Sequence, residues 1–270
     1  MAEPLRLERD GDVVVVVLDN PPLNLFDPRV FDLLEAVVAE LGRLTDPAGA
    51  DRPRAVLVEA RGRVVSAGVD VTAFRDIAEG PDPAGEGARL WRRLLRVAQA
   101  VEDLPVPTVF AAHGLTLTAA FELALACDVL LAAGSASFGL VEIVVGLTPS
   151  MGGPQRLAER AGPARAKELV FTGERYPAEV LERWGVVNRV LPDEGFAAAA
   201  RAFATRLAAG PTVAHAATKR LVTTGVRQGA RAADELVPEV SGALFGTEDL
   251  RGAVRSFLTE GPGRATYSGR

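Results

Sequence analysis

The chain has 270 residues, 48% hydrophobic and 24% charged, enough to bury a sizeable core as one large α/β domain or a domain plus an appendage, which excludes a disordered tail protein. Its 30 Lys and Arg against 35 Asp and Glu give a net charge of −5, so no polyanion-coating surface is indicated, nucleic acid is not an expected partner, and any anionic ligand has to be held locally. A single cysteine, Cys127, excludes an internal disulfide framework and a thiolate zinc cluster, and two well-separated histidines, His113 and His215, argue against a metal site. The opening MAEPLRLERDGD has no basic-then-apolar leader pattern, and no window approaches the roughly 20 apolar residues that span a bilayer. The expected setting is cytoplasmic, with no membrane partner.

In chain order, Leu5 and Leu7 alternate with Arg6 and Glu8, Asp10-Gly11 supplies a turn, and Val13 to Leu18 continue as a buried strand, which predicts a hairpin. Asp27-Pro28 reads as an N-cap followed by proline at the first helical position; Val30, Leu33, Leu34, Val37, Val38 and Leu41 then recur at helical spacing. Ala55 to Ala60 is a short β-branched run and reads as a strand. The Gly/Pro/Asp/Glu-rich segment from Ile77 to Gly87 predicts a mobile loop. A second helix follows, carried by Leu90, Leu94, Val97 and Val101, and then strands near Thr108 to Ala112 and Val129 to Ala132. Gln155 to Thr172 reads as helical, and a last run of helices extends from Gly195 to Leu258. The first two thirds are strand-rich and the last third is helical.

Two segments hold the residue types for chemistry on a carbonyl. SAGVD, Ser66 to Asp70, lies in the loop leaving the Ala55 to Ala60 strand, where small residues let backbone N–H groups approach a ligand. By itself it also reads as an ordinary turn. In HGLTLTAAFELALACD, His113 to Asp128, a strand leads through small residues into a helix starting near Ala119 or Ala120, and a helix start offers unpaired N–H donors. Two donors converging from two loops make an oxyanion hole. Glu122 in the first turn of that helix and Glu142 after the next strand both return to the same end of the sheet, and paired carboxylates divide acid and base roles. Taken singly, Glu122 also reads as a dipole-complementing residue and Glu142 as a solvated loop acid. Cys127 reads as a packing residue, His113 and His215 as structural, and Ser66 lacks the surroundings of a hydrolase nucleophile. Phe74, Trp91 and Leu94 are candidate walls of an apolar pocket, or helix-core residues.

From LDNPPLNLFD through SAGVD, ELALACD and FGLVEIVVGLTPSMGGPQRL to ALFGTEDLRGAVRSFL, the chain resembles the crotonase family, the enoyl-CoA hydratase/isomerase superfamily. The resemblance implies an α/β fold, a spiral of repeated β-β-α units over residues 1–194 carrying the CoA and active site. A C-terminal helical trimerisation region over 195–270 would complete it, assembled as a homotrimer or a dimer of trimers. It implies an acyl-CoA thioester substrate, coenzyme A being part of that substrate, and no separate cofactor or metal. Val69 and Ala119 fall where the family's two oxyanion N–H groups sit. Ala67, Val69, Asp70, Val71 and Thr72 fall where it wraps backbone around CoA. Glu122 and Glu142 fall on the two acidic positions that its hydratases use, whereas many of its double-bond isomerases keep only the second.

The implied reaction is addition of water across the 2,3 double bond of an enoyl-CoA; the alternatives are an enoyl-CoA isomerase, another thioester enolate enzyme, or a catalytically impaired CoA-binding assembly protein. Thr118-Ala119-Ala120 stands where the family usually has three glycines, adding side chains at a crowded helix start and narrowing the expected hole. Val141 replaces a proline common before the second Glu, and Ser150-Met151 alter the usual loop before Gly152, Gly153, Gln155 and Arg156. The C-terminal GPGRATYSG lacks the Lys-Arg stretch many relatives place near the CoA phosphates.

Overall fold

Val13 to Val17 is five valines in a row, a run whose branched side chains suit a strand covered on both faces. In the computed structural model, which describes residues 3–270, every residue of that strand is buried; Met1 and Ala2 of the N-terminal segment lie outside the described residues. β1 (Leu5–Asp10) and β2 (Val13–Leu18) form the expected antiparallel hairpin, Leu5 opposite Leu18 and Asp10 opposite Val13. The loop residues are Gly11 and Asp12, one place later than the expected pair, because Asp10 still belongs to the ladder; Gly11 takes the positive φ, 56°, that the tight turn requires. α1 (Pro28–Leu44) starts as its sequence predicts: Asp27 accepts from Val30 N at 2.8 Å, and Pro28 occupies the first turn.

β3 (Ala55–Ala60) is followed by α2 (Thr72–Ala78) and α3 (Pro83–Glu102). The expected loop from Ile77 to Gly87 is therefore corrected to a connection of residues 79–82. Asp82 caps α3, accepting from Gly85 N at 3.1 Å, with Pro83 at the helix start. Gly85 and Gly87 each cost about 1 kcal/mol of helix propensity. The buried stripe of Leu94, Val97, Ala98 and Val101 anchors the rest of the helix and outweighs them.

The next units are β4 (Thr108–Ala112), β5 (Leu115–Leu117) and α4 (Ala119–Ala126), then β6 (Val129–Ala133) and β7 (Ser137–Gly139). A 3-10 turn, Glu142–Val145, leads to α5 (Gly153–Ala161) and α6 (Pro163–Thr172). The single helix expected from Gln155 to Thr172 is broken at Gly162, where φ is 85° and Pro163 starts afresh. β8 (Tyr176–Pro177), α7 (Ala178–Arg183) and β9 (Arg189–Leu191) precede α8 (Phe196–Ala208), α9 (Thr212–Gln228), α10 (Ala230–Ala243) and α11 (Glu248–Glu260).

Six strands form one sheet in the order β1-β2-β3-β4-β6-β9, parallel from β2 onward; β5, β7 and β8 form a second, small sheet. A parallel bridge between Ser66 and Thr116 joins the loop after β3 to the small sheet. Successive turns of chain thus place one segment in the large sheet, one beside the small sheet, and then a helix: β3, Ser66 and α2; β4, β5 and α4; β6, β7 and α5. This is the expected spiral of β-β-α units. All eight residues of α4 are buried, so the helix carrying Glu122 runs through the interior rather than over the surface. α8 covers the large sheet, packing on β2, β3 and β4 through Phe196, Ala200, Ala204 and Ala208, with Arg201 paired to Glu59 of β3 at 2.6 Å. Only Gly229 separates α9 from α10, and the two pack on each other. Among the described residues no helix is long and apolar enough to cross a membrane.

Candidate active site

The loop after β3, the start of α4 and the turn after β7 meet because consecutive turns of the spiral end at the same edge. Ser66 is fully buried and structural: its hydroxyl donates to Asn24 O at 2.7 Å and accepts from Gly68 N at 3.0 Å, closing the turn. Phe26 N donates to Gly68 O at 2.9 Å, and Asp70 N donates to Phe26 O at 3.0 Å. In a parallel pairing these two bonds straddle Val69, whose own N–H faces the other way. Ala119 is the first residue of α4, so its N–H has no intrahelical acceptor. Among the described residues neither amide has a hydrogen-bond acceptor, and both residues line one cavity of about 170 Å³.

Thr118 turns the chain into α4 with φ 50° and ψ −123°, a conformation that costs a β-branched residue about 1–3 kcal/mol. Gly68 is required opposite it, with φ 114°; a β-carbon there would lie 3.0 Å from Thr118 Oγ1. The substituted helix start therefore keeps the backbone path a glycine would take, and the cavity beside it remains open.

Glu122 and Glu142 both line this cavity. Glu122 is buried, and its Oε1 accepts from Met151 N and Gly153 N, each at 2.8 Å, at the N-terminal end of α5. Burial pushes its carboxyl up to about 7, against the pull of those amides and of Arg156. Arg156 is itself buried, pairs with Glu102 and donates to Gly152 O at 3.2 Å, so it fixes the loop that supplies the amides. Glu142 is pushed up to about 8, first by desolvation and then by the charge of Glu122; its Oε2 is buried with no partner among the described residues. Two neighbouring carboxyls of this kind share a proton near neutral pH.

Of the residues expected to wrap a ligand with backbone, Ala67, Val69 and Val71 line the cavity, whereas Asp70 and Thr72 do not. Asp70 Oδ1 instead accepts from Thr72 N at 3.0 Å and Thr72 Oγ1 at 2.8 Å, beside the start of α2. Phe74, Trp91 and Leu94 do form cavity walls, the Phe74 and Trp91 rings meeting edge-on at 5.6 Å. The sequence reading missed Phe31 and the apolar residues of 144–147 as further walls; its available signal was the apolar run EIVVGL after Glu142. It also missed the Met151 and Gly153 amides, which no side-chain motif announces. Cys127 is buried away from the cavity and its thiol is pushed up to about 12. His113 Nε2 lies 3.1 Å from Gly62 O, outside the cavity lining.

The chain is similar to known proteins over most of its length. A short-chain-enoyl-CoA hydratase of Clostridium acetobutylicum is 28% identical over 255 residues, covering 93% of each chain. A carnitinyl-CoA dehydratase of Salmonella arizonae is 36% identical over 225 residues, 83% of this chain and 82% of its own. The crystal structure of an enoyl-CoA hydratase from Mycobacterium smegmatis superposes with a TM-score of 0.84 at 26% identity, covering 94% of this chain and 96% of that one. The sequence model of the enoyl-CoA hydratase/isomerase family matches residues 8–263, and with that span the chain belongs to this family.

Proposed function

We propose that the protein hydrates the 2,3 double bond of an enoyl-CoA thioester in the cavity between the loop after β3 and the start of α4. The observation that carries this reading is the juxtaposition of two acceptor-free amides with two carboxyls pushed up to about 7 and about 8. The thioester oxygen accepts from Val69 N–H and Ala119 N–H, which stabilises the enolate-like charge that develops as water adds to C3. Each such donor is worth about 3–4 kcal/mol in the transition state.

The carboxyls then divide the proton work. Glu122, with the lower of the two values and one oxygen fixed by two amides, is the base that orients and deprotonates water. Glu142, with the higher value, holds the proton delivered to C2, and solvent resets the pair. Retention of both acids favours hydration over double-bond isomerisation. Backbone of Ala67, Val69 and Val71, which line the cavity, would meet the thioester end of the CoA portion in this reading. Peptide donors supply the charge stabilisation, so no resident cofactor enters the proposal. A cytosolic homotrimer or dimer of trimers fits it, supported by the exposed apolar side chains of the C-terminal helices, Phe245 and Leu258 each 78% exposed.

Loss of crotonyl-CoA absorbance as the conjugated double bond is hydrated tests the activity. Glu142→Gln is expected to lower kcat by about 10²–10⁴-fold while acyl-CoA binding persists. Wild-type turnover in that variant removes the acid from the mechanism, and gain of conjugation from a 3-enoyl-CoA without hydration of crotonyl-CoA assigns the isomerase reaction instead.

A further inference from the structure

Glu102 is absent from the cavity lining, yet a continuous set of contacts joins it to Glu122. Met151 N and Gly153 N donate to Glu122 Oε1, and Gly152, the residue between them, accepts from Arg156 Nη1 at 3.2 Å. A β-carbon at Gly152 would lie 1.8 Å from that Nη1, so the guanidinium is pressed against this loop. On its other side, Arg156 Nη2 pairs with Oε2 of Glu102, the last residue of α3. Arg227 of α9 donates to the same oxygen. The ends of α3, α5 and α9 are thereby tied together beside the loop that holds the acid.

The Arg156 side chain is 6% exposed, and Glu102 is its only ion-pair partner among the described residues. A charge so buried is costly unless an anion balances it. Two carboxylates are placed to do so: Glu102, which holds the guanidinium, and Glu122, whose charged form the guanidinium favours. They compete for one cation, and Arg227 competes with that cation for Glu102. The other charged groups that face the Arg156–Glu102 pair are Glu159 and Arg160 of α5, Asp128 after α4, Asp103 after α3, and Lys219 and Arg220 of α9. Lys219 pairs with Asp128 at 2.9 Å, and Arg160 donates to the main-chain oxygens of Leu125 and Cys127, so neither cation takes Glu102. Facing Glu122 itself are Arg156 and Glu142.

We propose that Glu102 is a positioning residue for the reaction: it holds Arg156 against the loop whose amides grip Glu122 and withholds the Arg156 charge from that acid. This rests on the assignment of Glu122 as the base and deepens it. With Glu102 ionised, the guanidinium is balanced and burial dominates at Glu122, holding its carboxyl up at about 7. With that charge removed, the same guanidinium acts on Glu122 alone, which then ionises at lower pH and is a weaker base. Removing Arg227 acts in the opposite sense, because Glu102 is then left to Arg156.

The test compares wild type, E102Q and R227Q, each with and without E122Q. The difference in unfolding midpoint between each protein and its E122Q counterpart, followed from pH 5 to 9, reads the ionisation of Glu122 without any turnover. Crotonyl-CoA hydration over the same range reads it in the acid limb of kcat/KM. In E102Q both are expected to move down by about 1 pH unit, with kcat at its optimum lowered by about 3-fold and KM little changed. In R227Q, whose side chain is 39% exposed and therefore screened, both are expected to move up by a smaller amount. A residue that merely braces the fold lowers stability and kcat alike at every pH and moves neither ionisation. An unmoved ionisation in E102Q overturns the proposal; if E102Q does not fold, R227Q decides alone, and an absent or downward shift there overturns it. Wild type without turnover of crotonyl-CoA overturns the proposed hydration, while the stability difference still decides the role of Glu102.

Discussion

Replacing Glu122 by Gln separates the cost of the buried acid from its use. The substitution keeps an oxygen to accept from Met151 N and Gly153 N and removes the charge. An unfolded glutamate ionises near 4.5, whereas burial holds Glu122 up at about 7. Between those values the folded protein binds the extra proton, so its stability falls as pH rises, and the loss is complete above the folded value. At about 1.36 kcal/mol for each tenfold change in proton affinity, the penalty reaches about 3 kcal/mol at pH 8 and is absent at pH 4. E122Q carries no such penalty. Glu142 is present in both proteins, and the part of its own upward shift that comes from the Glu122 charge adds in the same direction. Denaturant unfolding at pH 5 and pH 8, at one fixed protein concentration, reads the difference: E122Q is expected to gain on wild type by about 2–3 kcal/mol between the two pH values, with kcat down by about 10²–10⁴-fold. A stability difference that does not change with pH means that Glu122 is not held in a desolvated site, and the proposed base loses its physical basis.

The activity profile follows from the same pair: kcat/KM is expected to rise through about 7 as Glu122 ionises and to fall through about 8 as Glu142 does, leaving a narrow optimum; a flat profile from pH 6 to 9 contradicts the division of roles. Gly153→Ala places a β-carbon 2.8 Å from Glu122 Cγ, and overpacking of this kind costs about 1–3 kcal/mol; a fall in kcat larger than the change in KM is expected, and unchanged kcat shows that Glu122 tolerates displacement. Cys127, buried with its thiol pushed up to about 12, is expected to resist a thiol-disulfide reagent in the native protein and to react fully in denaturant; rapid native labelling contradicts its packing role.

The elements legible in the sequence are those whose signals are local. Val13 to Leu18 announces itself by branched side chains, α1 by Asp27-Pro28 and a repeating apolar face, and α4 by the small residues Thr118 to Ala120 at its start. Glu122 and Glu142 were legible as a pair because family motifs surround them, although they stand 20 positions apart in the chain. The segment from Ile77 to Gly87 was misread because its glycines outvote the helix start at Asp82-Pro83 in a local count, while the packing that holds α3 lies further along, at Leu94 and Val97. The strands of the small sheet escaped for a different reason. β5 and β7 have three residues each, too few to display a period, and β5 pairs with a segment more than 20 residues away.

Composition and pattern thus determined an α/β chain, five of the six strands of the large sheet and the chemical types at the site, since propensity, capping and hydrophobic period act within a few residues, while the spiral was implied by the family resemblance. Tertiary structure alone decided that Val69 N–H turns away from Phe26, with Val69 in the cavity lining, and that Met151 and Gly153 hold Glu122. It also decided that Thr118 accepts an unfavourable backbone angle with its hydroxyl left unpaired. Each of these depends on which segments the spiral brings to one edge, and on the loss of water there, neither of which a single stretch of chain encodes.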